Sequence, residues 1–178
     1  NSDLVGKYVN IASRSAGFIT KRFNGQLAPA SAELPAIKAI QDAAGRIGEL
    51  YEAREFAKAM REIMLLADAA NQYVDSVKPW ELAKQEGRED ELHAACRNAL
   101  NLFRLLTVLL KPILPGVADK VEKFLNIAPL SWNDAQSLLA AGHDVYLIDW
   151  GYPDPSDRYV TLDDYINGYL RRSVKAVS

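Results

Sequence analysis

Asn10 and Arg14 stand four residues apart, one helical turn, on one flank of an amphipathic segment. Lys21 continues the row, and Gly17 leaves open space between them. An amide and a guanidinium at this spacing can bond base edges through paired donors and acceptors, and the guanidinium also reaches phosphate. An ordinary solvated helix face has the same pattern. The first 24 residues hold Lys7, Arg14, Lys21 and Arg22 against Asp3 alone, so positive charge gathers here. Lys21 and Arg22 therefore read as phosphate contacts, on charge and position only.

Lys78-Pro79-Trp80-Glu81 is the second group. Proline at a first helical position fixes the backbone, so Trp80 sits at a rigid helix entry. An indole presented there can stack on a nucleobase, a contact of about 1–3 kcal/mol in single-stranded recognition, or it can pack beneath the helix start. Asp75, one turn earlier, can accept bonds from base amino groups or cap a helix.

Other reactive side chains point to no chemistry. Cys96 lies on an apolar stripe without a histidine partner or a glycine-rich elbow, so it reads as a small buried hydrophobe. His93 and His143 are isolated and read as non-catalytic. One cysteine and two histidines leave no disulfide scaffold and no Cys- or His-built metal site, and no phosphate loop or dinucleotide fingerprint is present.

Helices must position these residues. The spacing predicts helices over about residues 3–22, 36–52, 55–76, 79–86, 90–110 and 116–125, with apolar residues recurring three and four apart. The boundary between the second and third is weak, since no glycine or proline separates them. Ser131 and Asp134 have the spacing of a capping box for one more short turn. Mostly short loops between such helices imply an all-α antiparallel bundle. Beyond His143 the chain changes character. Residues 144–150 (DVYLIDW) read as a strand and residues 162–176 as a helix, and five of the eight tyrosines lie in the last 36 residues. No upstream segment reads as a partner strand. The expected domains are therefore a helical bundle over 1–143 and a strand–helix tail over 144–178, with the strand unpaired, swapped or remade and the bundle folding without it.

With 178 residues the chain is long enough to bury one core. Its net charge of −2 argues against bulk-charge binding of nucleic acid. Four basic and six acidic residues lie beyond His143, so the bundle itself is neutral and its positive charge is concentrated on the first helix. No signal peptide or membrane-spanning run shows, which points to a cytoplasmic protein without a membrane partner. The start at Asn1 fits a piece of a longer chain.

Residues 9–14 (VNIASR) and 16–23 (AGFITKRF) resemble the first helix of the anticodon-binding domain of bacterial methionyl-tRNA synthetase. Residues 54–56, 59–64, 71–75 (NQYVD), 78–87 (KPWELAKQEG), 101–104 and 110–115 resemble its later segments in order. The resemblance covers about residues 1–143. It implies a bundle that follows a class I catalytic domain, whose HIGH and KMSKS signatures are not in this chain. The implied job is recognition of the CAU anticodon of methionine tRNAs. Asn10 and Arg14 match the anticodon-reading pair, Trp80 the tryptophan under the first anticodon base, Pro79 the residue holding that entry, and Asp75 an acid shaping the site. The chain would itself be non-catalytic and need no cofactor. The missing N-terminal domain would supply methionine–tRNA ligase activity, with ATP and typically zinc. The implied partners are that domain and the anticodon stem-loop.

The tail departs from this pattern. Residues 144–153 and 161–169 are similar to a segment of polyhydroxyalkanoate synthase, an α/β-hydrolase-type enzyme, which implies a fusion or chimera, although its catalytic elbow is absent here. Two alternatives accompany the RNA-binding reading: a helical scaffold for protein partners, and a fragment of that synthase.

Overall fold

A computed structural model describes residues 4–29 and 33–145. A π-helical turn, Leu4–Val9, runs straight into helix α1 (Asn10–Arg22). Helices α2 (Pro35–Glu52), α3 (Phe56–Val77), the single turn α4 (Pro79–Leu82), α5 (Glu89–Leu110) and α6 (Pro115–Leu125) follow, and a 3-10 turn spans Trp132–Gln136. The described residues are thus an all-α bundle, with element positions close to those the apolar spacing predicts, except that the helix expected over 79–86 ends at Leu82.

The bundle is built around α5. Its sequence stripe predicts one buried face, but every residue from Ala95 to Leu110 is buried. A helix covered on all sides is a core helix, and α1, α2, α3, α4 and α6 all pack against it. Tyr8 stacks on Phe103 with ring centroids 4.6 Å apart, and its hydroxyl lies 2.5 Å from that of Thr107. The Cys96 thiol is buried in this core, and desolvation pushes its pKa up to about 12, so it is no thiolate at neutral pH.

Helix ends follow local chemistry. Prolines open α2, α4 and α6 at their first turns, where a missing N–H costs nothing. The α2–α3 break needs neither glycine nor proline: Arg54 turns the chain at φ +60°, and the Glu55 N–H bonds the Leu50 carbonyl at 2.8 Å. Ser131 and Asp134 form the expected capping box.

Buried polar side chains tie the last described segment to the bundle. The Arg104 guanidinium donates to the carbonyls of Ser137 (2.8 Å) and Asp134 (3.2 Å) and to the Ser137 hydroxyl (3.1 Å). Asn101 Oδ1 accepts from the Leu139 N–H at 2.8 Å. Glu122 accepts from the Leu130 N–H at 2.7 Å and pairs with Lys111 at 2.5 Å. A ring nitrogen of His143 lies 2.6 Å from the Leu125 carbonyl, and one of His93 lies 2.7 Å from the Gln26 carbonyl.

The expectation that nothing upstream pairs with the segment starting at 144 is corrected for its first two residues. Asp144 forms an antiparallel bridge with Gln26, and the Val145 N–H bonds the Gly25 carbonyl at 2.7 Å. Gly25 sits at φ +76°, and a Cβ there would lie 2.8 Å from the Val145 carbonyl oxygen, so only glycine fits this pairing. The asparagine–glycine turn that ends α1 doubles as the partner edge, a use that helix-breaking residues do not announce in sequence. The rest of the predicted strand and the helix over 162–176 lie outside the described residues.

Candidate nucleic-acid interface

One residue of unusual backbone geometry, Lys78, sets the direction of Trp80. Lys78 closes α3 and opens α4 in one step, at φ +46° in the left-handed region. Its N–H bonds the Val74 carbonyl at 2.9 Å, while its own carbonyl accepts from Glu81 and Leu82 at 2.8 and 3.1 Å. A residue before proline avoids the right-handed helical region, so Pro79 ends α3 here. Pro79 itself is buried at the first position of α4, which sets Trp80 half-buried beside the C-terminal end of α3.

Across from it runs α1. An open cleft of about 520 Å³ lies between the two, lined by Ser13, Arg14, Gly17, Phe18, Lys21, Asp75 and Trp80. The Arg14 guanidinium carbon sits 5.3 Å from the centroid of the Trp80 ring, within cation–π range. Arg14 also pairs with Asp75. Both remain open to solvent, with side-chain exposures of 30% for Arg14 and 59% for Asp75. A Cβ on Gly17 would meet nothing within 4 Å, so glycine leaves the floor between Arg14 and Lys21 unfilled.

Four predicted residues from three segments of chain, Arg14, Lys21, Asp75 and Trp80, thus line one cleft. Pro79 lies beneath it as the buried support of Trp80. Asn10 is half-buried one turn before Arg14 and does not line the cleft, and its carbonyl accepts from the Ser13 hydroxyl at 3.3 Å. Arg22 is exposed at the end of α1, away from the lining. Phe18, a partly buried residue packed against the core, was not among the candidate site residues singled out from sequence. It joins the lining because it stands one turn after Arg14, at the edge of the apolar stripe.

Chemically the cleft offers a flat aromatic face, a guanidinium above it, a carboxylate beside it and an exposed ammonium at its rim. A planar heterocycle with ring donors and acceptors, attached to an anionic backbone, matches this set. Among the described residues no group of three or more His, Cys, Asp or Glu side chains converges as a metal site, and no helix is long and apolar enough to cross a membrane.

The fold is one seen before. The free-state methionyl-tRNA synthetase of Mycobacterium tuberculosis superposes with a TM-score of 0.73 at 24% identity, covering 82% of this chain and 31% of that one. The same enzyme in complex with methionyl-adenylate gives the same TM-score, over 30% of its chain. The bundle therefore has the fold of part of that synthetase.

Residues 24–150 match the family model for the anticodon binding domain of methionyl tRNA ligase, and the chain belongs to that family. The methionine–tRNA ligase of Chromobacterium violaceum is 58% identical over 139 residues, 78% of this chain and 20% of that protein. That of Thiobacillus denitrificans is 59% identical over 138 residues, with the same shares, and that of Azoarcus sp. 55% identical over 145. The chain spans about one fifth of the length of these relatives.

Proposed function

We propose that this chain reads the CAU anticodon of methionine tRNAs as the RNA-binding part of a methionine–tRNA ligase. The observation that carries this is the convergence of Arg14, Asp75 and Trp80 on one open cleft, in a chain of the anticodon-binding family. Trp80 stacks under the first anticodon base. Arg14, which already reaches over the same ring, bonds a base edge, and Asp75 orients Arg14 through their ion pair. Asn10 contributes from the preceding turn of α1, outside the cleft lining. Lys21 and Arg22 meet backbone phosphate. Each well-placed paired contact adds about 1–3 kcal/mol of discrimination against a wrong base. Few cations take part, so the salt dependence of binding is shallow.

A class I catalytic domain, using ATP and typically zinc, precedes this domain in the whole protein and carries out the ligation, in the cytoplasm. This chain supplies differential binding rather than chemistry. For the tail, residues 144–178, we keep the resemblance to a polyhydroxyalkanoate synthase segment as the mark of a fused piece. Its join falls near His143 in this reading. The coding sequence across codons 135–150 tests whether the join is natural.

The direct test titrates a methionine-anticodon stem-loop against the chain and its Trp80→Ala variant. The variant is expected to bind about tenfold or more weakly, from the loss of one base–aromatic stack. Equal affinities would remove the stacking role.

A further inference from the structure

The π turn and helix α1 together are tied to α3 at three levels, and only the Arg14–Asp75 pair lies in the cleft. Two helical turns earlier, Lys7 Nζ pairs with Asp68 Oδ2 at 2.9 Å. Between them Asn71 Nδ2 donates to the Lys7 carbonyl at 2.5 Å and to the Ala67 carbonyl at 3.0 Å. Asp68, Asn71 and Asp75 are three and four residues apart, so they share one face of α3. On the facing segment the ties fall at Lys7 and Arg14, on either side of Asn10.

The Asn71 contact falls where the backbone changes type. Lys7 lies in the π-helical turn Leu4–Val9, which passes directly into the α-helix at Asn10. A π turn holds one residue more per hydrogen-bonded ring than an α turn. Shifting a helix by one residue rotates its face by about 100°. A side chain that enters the backbone ladder from outside is one of the few causes of such a break. Asn71 is the side chain that reaches a backbone carbonyl of this turn. Both its targets are carbonyls, so its NH2 group must face them, and a carboxylate in its place would set acceptor against acceptor. Its own Oδ1 is buried and makes no hydrogen bond. An acceptor left without a donor costs stability, so the packing here holds the amide against a local penalty.

We propose that Asn71 is a positioning residue for the Arg14–Trp80 cleft. By holding the Lys7 carbonyl, it keeps the π turn in place and so fixes the rotation of α1 that carries Asn10 and Arg14 to the cleft. Lys7–Asp68 is the outer tie of the same clamp. The inference rests on the anticodon-reading proposal for its RNA consequence, but its structural consequence is independent of RNA.

The test uses the full 178-residue chain with Asn71→Asp, the milder Asn71→Ser, and the exchanged pair Lys7→Asp/Asp68→Lys. Two properties are read: the indole N–H resonance of Trp80, identified by its loss in Trp80→Phe, and the affinity ratio between a CAU stem-loop and one with the first anticodon base changed. In the free protein both Asn71 variants are expected to shift the Trp80 resonance. With RNA they lower the affinity ratio about tenfold, the size of one lost paired contact. The exchanged pair, which restores the outer ion pair with the carbonyl bond intact, leaves both near wild type. If Asn71→Asp does not fold, Asn71→Ser carries the same expectation. An unmoved Trp80 resonance, or an unchanged ratio in a wild type that discriminates, overturns the positioning role. A wild type that binds both loops equally instead overturns the anticodon reading, and the resonance shift in free protein still decides for or against Asn71.

Discussion

Two arginines of this bundle, each beside an aspartate, have opposite fates. Arg104 is 5% exposed and its two terminal nitrogens are held by the carbonyls of Asp134 and Ser137, the Ser137 hydroxyl, and the Asp134 carboxylate at 3.7 Å, while its Nε is buried without a partner. Arg14 has one carboxylate partner and an aromatic face, and both stay open to water. The residue type is the same, so the surroundings decide its role. Buried against several immobile acceptors, arginine is a structural tie that cannot exchange partners without loss. Partly exposed against an exposed carboxylate and a flat ring, it can trade its contacts for those of a ligand at small cost, because surface ion pairs contribute little.

The sharpest break of this comparison is Arg104→Met. It strips donors from two carbonyls and should destabilise the chain by about 3 kcal/mol, read as a lower urea midpoint, because buried charged hydrogen bonds are costly to remove. RNA affinity of the folded fraction should stay near wild type. Trp80→Ala should do the reverse, with its main loss of about 1–3 kcal/mol in stem-loop binding. Asp134→Asn comes next. The Ser131 N–H and hydroxyl both donate to this carboxylate and hold its pKa below the usual carboxylate range. A depressed carboxylate stabilises above its unfolded pKa, and that stability is lost as pH falls through the folded value. Asp134→Asn should therefore cost about 1 kcal/mol at neutral pH. The difference from wild type should vanish in acid, followed by thermal melts across pH. Gly17→Ala is the smallest and the most diagnostic. A helix-interior alanine adds up to about 1 kcal/mol of stability, and its methyl enters open space in the cleft floor. Stability should rise while stem-loop affinity falls.

The two regions also differed in how far sequence could expose them. The cleft was legible in part. A helical row and a proline-fixed entry turn are local signals, so Arg14, Lys21, Pro79 and Trp80 could be singled out, with Asp75 one turn away. That Arg14 pairs with Asp75 depends on two helices meeting 61 residues apart, which no local spacing encodes. The Arg104 tie was not legible. In sequence Arg104 only interrupts an apolar run, and its acceptors are backbone atoms about thirty residues on. The π turn was missed for a related reason. Its apolar spacing continues that of α1, and its cause sits on α3. Arg54 turned the chain between α2 and α3 without a glycine or proline to mark it. The pairing of Asp144 and Val145 with the turn after α1 was likewise hidden, because that turn carries no strand pattern.

The role proposed for the cleft is to read a base. The most direct measurement is the affinity of the unaltered chain for a CAU stem-loop against the same loop with only its first anticodon base replaced. The CAU loop should bind more tightly by about tenfold or more. Equal affinities for the two loops would contradict it.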